Sequence, residues 1–182
     1  MSEVGSAAER RQIVDLLVSC GAVRFGQFTL ASGQTSNVYI DVKRAWTDPG
    51  RLSVLAEALA RRVGSAERLA GMELGAVPLV VGAALRSGLP YVVIRKAAKD
   101  HGTKQRFEGD IPAGSRILLI EDASTTGGSA LESIRIIRDA GGVITEALVV
   151  VDREMGAIDR LRSEGVHLVP LVTLGEIPGA GA

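Results

Sequence analysis

The chain has 182 residues, enough for one domain, and its 46% apolar and 23% charged residues are the balance of a globular protein rather than a disordered one. Its 21 Lys and Arg cancel 21 Asp and Glu, and aromatics are only 3%, which argues against a general nucleic-acid binder and a base-stacking platform. A single cysteine, Cys20, excludes an internal disulfide and a cysteine-based zinc site.

Residues 1–11 are charged and lack the apolar run of a secretory signal. The longest apolar stretch, 77–85, is far short of the ~20 residues of a membrane span. A soluble, cytoplasmic protein without nucleic-acid or membrane partners is therefore expected. Ile13, Leu16, Leu17 and Cys20 recur at helical spacing over 6–20, and Gly21 stops that helix. Residues 23–30 read as a strand, 31–33 as a turn and 37–42 as a second strand, together a small hood over about residues 1–45. A core follows over about 46–176, within one domain.

In that core, 49–63 is helical, with Leu52, Leu55, Ala56, Leu59 and Val63 on one face. A short strand at 69–72, a helix at 77–87 stopped by Gly88, and a strand at 91–94 come next. After a polar segment, 116–120 is a strand that runs through a glycine-rich turn into a helix at 130–140. An apolar strand at 144–151, a helix at 157–164 and a last strand at 166–172 complete the pattern. Strands alternating with helices predict an α/β fold, a mostly parallel sheet covered on both faces. Residues 97–114 break this rhythm, and so long a polar excursion reads as a mobile active-site loop or a surface excursion.

The chemistry concentrates at 117–129, ILLIEDASTTGGS. A buried strand ends in Glu121 and Asp122, hydroxyl residues and two glycines follow, and then a helix begins. A helix N-terminus offers unpaired N–H groups and a positive dipole end to a phosphate. Gly127 and Gly128 allow close approach, and Thr125, Thr126 and Ser129 add hydroxyl donors. Carboxylates suit sugar hydroxyls, so a sugar phosphate satisfies both halves of the run. Neither GxxxxGK nor GxGxxG is present. Arg95, Lys96, Lys99 and His101 gather four donors that could stabilise a polyanionic leaving group. Arg153, just past an apolar strand, could hold a carboxylate in bidentate fashion or pair with Asp152 or Glu154. His167 lies within Val166-His167-Leu168-Val169 and reads as a structural strand residue.

The 117–129 run resembles the 5-phosphoribosyl 1-diphosphate (PRPP) signature of type I phosphoribosyltransferases, and its TTGGS ending is similar to the orotate branch. Three further segments agree. Phe28-Thr29-Leu30-Ala31-Ser32-Gly33 with Ser36, Tyr39, Asp41 and Lys43 resembles FTLxSGxxSxxYxDxK; residues 95–102 resemble RKxxKxHG; and Val151-Asp152-Arg153-Glu154 with Gly156 resembles VDRxxG. The resemblance covers about residues 23–176. It implies a type I phosphoribosyltransferase fold and transfer of the phosphoribosyl group from PRPP to orotate in pyrimidine (UMP) biosynthesis. The catalytic residues implied are Lys99, His101 and Asp122. PRPP would be bound by Arg95, Lys96, Lys99, His101, Glu121, Asp122, Ala123, Ser124, Thr125, Thr126, Gly127, Gly128 and Ser129, with Gly75 and Ala76 as a diphosphate turn. Orotate would be held by Thr125 and Arg153, and Mg2+ through PRPP and water, without direct protein ligands. A homodimer with shared sites is also implied. Ala31 and Gly75 stand where family members often carry Lys, and Met155 replaces a commoner polar residue. The other readings are a transferase for a purine or uracil, against which Arg153 argues, and a non-catalytic nucleotide sensor, against which the zero net charge argues.

Overall fold

The computed structural model describes residues 5–29, 35–97 and 105–180. Helix α1 (Ala7–Ser19) starts where the Ser6 hydroxyl accepts the Glu9 amide at 3.2 Å. Strands β1 (Val23–Thr29) and β2 (Thr35–Ile40) form an antiparallel two-stranded sheet, irregular between Phe25 and Phe28. The turn expected at 31–33 lies outside the described residues. A one-turn helix, α2 (Lys43–Trp46), leads into α3 (Pro49–Ala60), which Asp48 caps by accepting the Arg51 amide at 2.9 Å. Then come β3 (Arg68–Met72), α4 (Val77–Ser87), β4 (Tyr91–Ile94), β5 (Phe107–Glu108), β6 (Ile117–Ser124), α5 (Gly128–Asp139), β7 (Glu146–Asp152), α6 (Ala157–Ser163) and β8 (His167–Thr173).

The main sheet runs β5-β4-β3-β6-β7-β8, and all its pairings are parallel except β4 with β5. Side chains alternate between its two faces. Leu69, Leu118, Ile120, Leu148, Val150, Val169 and Leu171 pack with α1, α3 and α4 on one side, together with Val23, Val38 and Ile40 of the hairpin. Ala70, Leu119, Ala147, Val149 and Leu168 pack with α5 and α6 on the other. The N-terminal segment thus shares one apolar cluster with the sheet instead of having its own. This is the α/β architecture expected from the alternation.

Three boundaries differ in ways that shape the site. The strand expected to end at 120 continues to Ser124, because β7 keeps pairing with it through Glu121↔Val149, Ala123↔Val151 and Ser124↔Asp152. The polar residues that read as turn are the last rungs of a parallel ladder. Helix α5 begins at Gly128 rather than 130, so the second glycine lies inside its first turn. The segment 97–114 also contains β5, and Arg106 fastens it by donating to the Arg95 carbonyl at 3.0 Å and to Glu132 at 2.7 Å. Residues 98–104 lie outside the described residues.

Candidate active site

Strand β3 connects through α4 to β4 on one side, whereas β6 connects through α5 to β7 on the other. The chain therefore reverses direction between β3 and β6, and ligands of such sheets bind outside the strand carboxyl ends at that reversal. Two clefts open there. One, of about 350 Å³, is lined by Glu121 and residues 123–130. The other, of about 330 Å³, is lined by Lys43, residues 72–75, Lys96, Glu121, Asp122 and Ser129. Glu121 and Ser129 belong to both linings, which joins the two into one site.

The first cleft is a phosphate cradle in shape and chemistry. Gly127 caps α5 at φ 74°, a left-handed conformation that disfavours any side chain. The α5 amides and dipole then face the cleft beside the Thr125, Thr126 and Ser129 side chains. Arg160 of α6 donates to the Thr126 carbonyl at 3.2 Å and braces the loop from behind. The buried Ser124 hydroxyl has no partner among the described residues.

The second cleft is carboxylate-rich. Its floor is the turn after β3, where the Glu73–Leu74 peptide is cis and Glu73 accepts the Lys96 amide at 2.9 Å. A Cβ on Gly75 would lie 2.1 Å from Asp122 Oδ2, so this turn approaches Asp122 with bare backbone. Asp122 Oδ1 accepts the Ala123 amide at 2.9 Å. Glu121 is 6% exposed and its Oε1 has no partner among the described residues. Burial, reinforced by Asp122 and opposed by Lys96, pushes its carboxyl up to about 8. Glu121 therefore faces the cleft as a neutral acid near pH 7, beside Asp122. Such a pair can accept from sugar hydroxyls and also donate to an oxygen.

Arg153 is buried at the carboxyl end of β7. It makes neither of the two ion pairs that its sequence neighbours offered. Instead its Nη2 donates to Ser36 Oγ at 3.0 Å and to the Val38 carbonyl at 2.6 Å, clasping β2. Glu154 is turned away and accepts the Gly175 amide at 2.7 Å. Arg153 Nε is buried with no partner among the described residues, an unspent donor on a desolvated cation.

Of the residues singled out from sequence, Glu121, Asp122, Ala123, Ser124, Thr125, Thr126, Gly127, Gly128, Ser129, Gly75 and Lys96 line the joined clefts. Ala76 is buried at the start of α4 and outside both linings. Arg95 is also outside them: its Nη1 lies 3.3 Å from Glu108 of β5, a partner that could not be foreseen while that strand was hidden in a loop. Lys99 and His101 fall outside the described residues. His167 opens β8 at its amino end, opposite the site. Sequence reasoning gave no site role to two charged cleft residues, Glu73 and Lys43. Lys43 stood in the SxxYxDxK segment without a role.

A hydroxyl- and amide-lined cleft beside an acid-lined one at a reversal of the sheet could hold a phosphorylated sugar. The phosphoribosyl transferase domain family matches residues 53–165, more than half of the chain. An orotate phosphoribosyltransferase of Methanosarcina mazei is 43% identical over 180 residues, covering 97% of this chain and 96% of its own. The crystal structure of orotate phosphoribosyltransferase from Aeropyrum pernix has a TM-score of 0.82 and 37% identity, over 91% of this chain and 95% of that one. Leishmania donovani UMP synthase has a TM-score of 0.83 and 31% identity over 94% of this chain, which spans only 37% of that longer protein. The chain belongs to the phosphoribosyl transferase family and, within it, to the orotate phosphoribosyltransferases.

Proposed function

We propose that this pentosyltransferase converts orotate and PRPP to orotidine 5′-phosphate and diphosphate. The observation that carries this reading is the junction of the two clefts at Glu121 and Ser129. A 5′-phosphate in the cradle and a 1-diphosphate over the turn at 73–75 would place the ribose at Glu121 and Asp122 between them. The C1′–O bond to diphosphate breaks with its electron pair leaving on the diphosphate, and orotate N1 forms the new bond to C1′ while its proton passes to the departing diphosphate or to water. With both ends of the sugar held, the anomeric carbon is the part left to move. Asp122 and Glu121 would hold the ribose hydroxyls, and Thr125, in the cradle lining, would contact the base. Arg153 would turn its unpartnered Nε toward the orotate carboxylate. Lys99 and His101 would close over the diphosphate and exclude water.

Mg2+ fits this donor set as a substrate-borne ion. The described residues hold no cluster of three or more His, Cys, Asp or Glu that could cage a metal. Mg2+ keeps its waters and favours phosphate oxygens, and when bound it neutralises charge on the departing diphosphate. Among the described residues no helix is long and apolar enough to cross a membrane. A cytoplasmic homodimer in which Lys99 and His101 serve the neighbouring site completes the proposal. The test is PRPP-dependent loss of orotate absorbance, with uracil, adenine and hypoxanthine as competing acceptors. Turnover of orotate alone supports the reading, and turnover of another base in its place refutes it.

A further inference from the structure

We infer that Lys43 is a positioning residue for the diphosphate of PRPP. This deepens the functional reading above and rests on PRPP spanning the two joined clefts. A diphosphate carries several negative charges, yet the second cleft presents three carboxyl groups, Glu73, Asp122 and the buried Glu121. Among the described residues, the cations in its lining are Lys43 and Lys96, and the first cleft has none. The turn at 73–75 adds none at position 75, where this chain has glycine. Besides Lys96 at the end of β4, the cation in this lining is Lys43, brought from the N-terminal segment.

Lys43 is held for that task. Its Nζ lies 3.0 Å from Asp41 Oδ1. Asp41, with further attraction from Asp122 and Tyr39, raises its pKa and keeps it charged. Stability alone does not account for the arrangement. The lysine side chain is 47% exposed, and surface ion pairs contribute little. A half-exposed ammonium tethered on one side by Asp41 retains donors for an arriving anion.

The test uses Lys43→Gln, Lys43→Arg and Asp41→Asn in the full chain, with steady-state kinetics for both substrates and calorimetric titration of inorganic diphosphate. Lys43→Gln should raise KM for PRPP and Kd for diphosphate by roughly ten- to a hundredfold, the worth of one charged hydrogen bond. Its KM for orotate should stay within about twofold, and Lys43→Arg should restore most of the loss. Asp41→Asn removes the ion pair and keeps the ammonium, so diphosphate binding should weaken by less than about threefold. Unchanged diphosphate binding in Lys43→Gln overturns the inference. So does an equal loss in Lys43→Gln and Asp41→Asn, which would mark a structural pair. A wild-type protein inactive toward orotate would sink the functional reading instead, while the diphosphate titration would still decide the role of Lys43.

Discussion

Replacing Glu121 with Gln should make the protein's stability less dependent on pH, and the size of the change follows from burial. The Glu121 carboxyl rises from an ordinary 4.5 to about 8 in the folded chain, chiefly by desolvation. Below pH 4.5 the side chain is protonated whether folded or not, and it contributes no slope. Between 4.5 and about 8 the folded chain holds a proton that the unfolded chain has released, so stability falls with rising pH. The fall is about 1.4 kcal/mol per pH unit and on the order of 5 kcal/mol across the window. Above pH 8 both forms are ionised and the slope ends. Glutamine keeps the shape of the neutral acid and cannot ionise. The two proteins should therefore have similar stability near pH 5, and Glu121→Gln should be the more stable at pH 8. Asp152 is also raised by burial and keeps the same sign of slope in both proteins, so the difference between them isolates Glu121. Urea unfolding followed by circular dichroism from pH 5.5 to 8.5 measures it. Parallel stability curves for the two proteins would refute the assignment of a buried, protonated carboxyl at the junction of the clefts.

Asp122→Asn should retain the fold and lose roughly ten- to a hundredfold in kcat/KM for PRPP, since one charged hydrogen bond to the ribose goes; steady-state kinetics with circular dichroism checks both. Arg153→Ala should raise KM for orotate far more than KM for PRPP, and equal losses would assign it to clasping β2 alone. Gly127→Ala should destabilise by about 1–3 kcal/mol in urea, from strain at φ 74° and from a Cβ 2.7 Å from Leu161 Cδ1. It should weaken PRPP binding as well, because the cradle begins there. Mixing Lys99→Ala with Asp122→Asn, each impaired by itself, should restore one fully working site per hybrid dimer, whereas hybrid dimers with no gain in activity would confine the loop to its own chain.

The layer architecture was legible because it depends on local apolar periodicity. Val77–Ser87, stopped by Gly88, and Tyr91–Ile94 lie where their patterns predicted. The phosphate cradle was legible for a similar reason, since hydroxyls, glycines and helix start are contiguous in the chain. What stayed hidden depends on pairing between distant segments. Glu121 to Ser124 look like a turn until β7 is set beside them, and two-residue β5 has no periodicity to detect. The partner of Arg95 was hidden with β5. Arg153 stood out as a cation at a strand end, but its actual partners, Ser36 and the Val38 carbonyl, lie on a segment more than a hundred residues away. Lys43 joins the cleft from that same N-terminal region, and no spacing rule connects it to residues 121–129.

The one-sided placement of the site leaves the opposite end of the sheet as a handle. There Glu67 accepts the Arg116 amide at 2.9 Å, and His167 opens β8 beside Glu146. Nothing proposed for catalysis lies at that end. A tether, a fluorophore or a surface attachment placed there would leave the substrate entrance clear. Conversely, the loop at 153–156 could be randomised to seek new acceptors while the alternating apolar rungs of β6 and β7 stay as they are. The fold thus separates the residues that keep the protein together from those that choose what it acts on, and each set can be engineered with the other held constant.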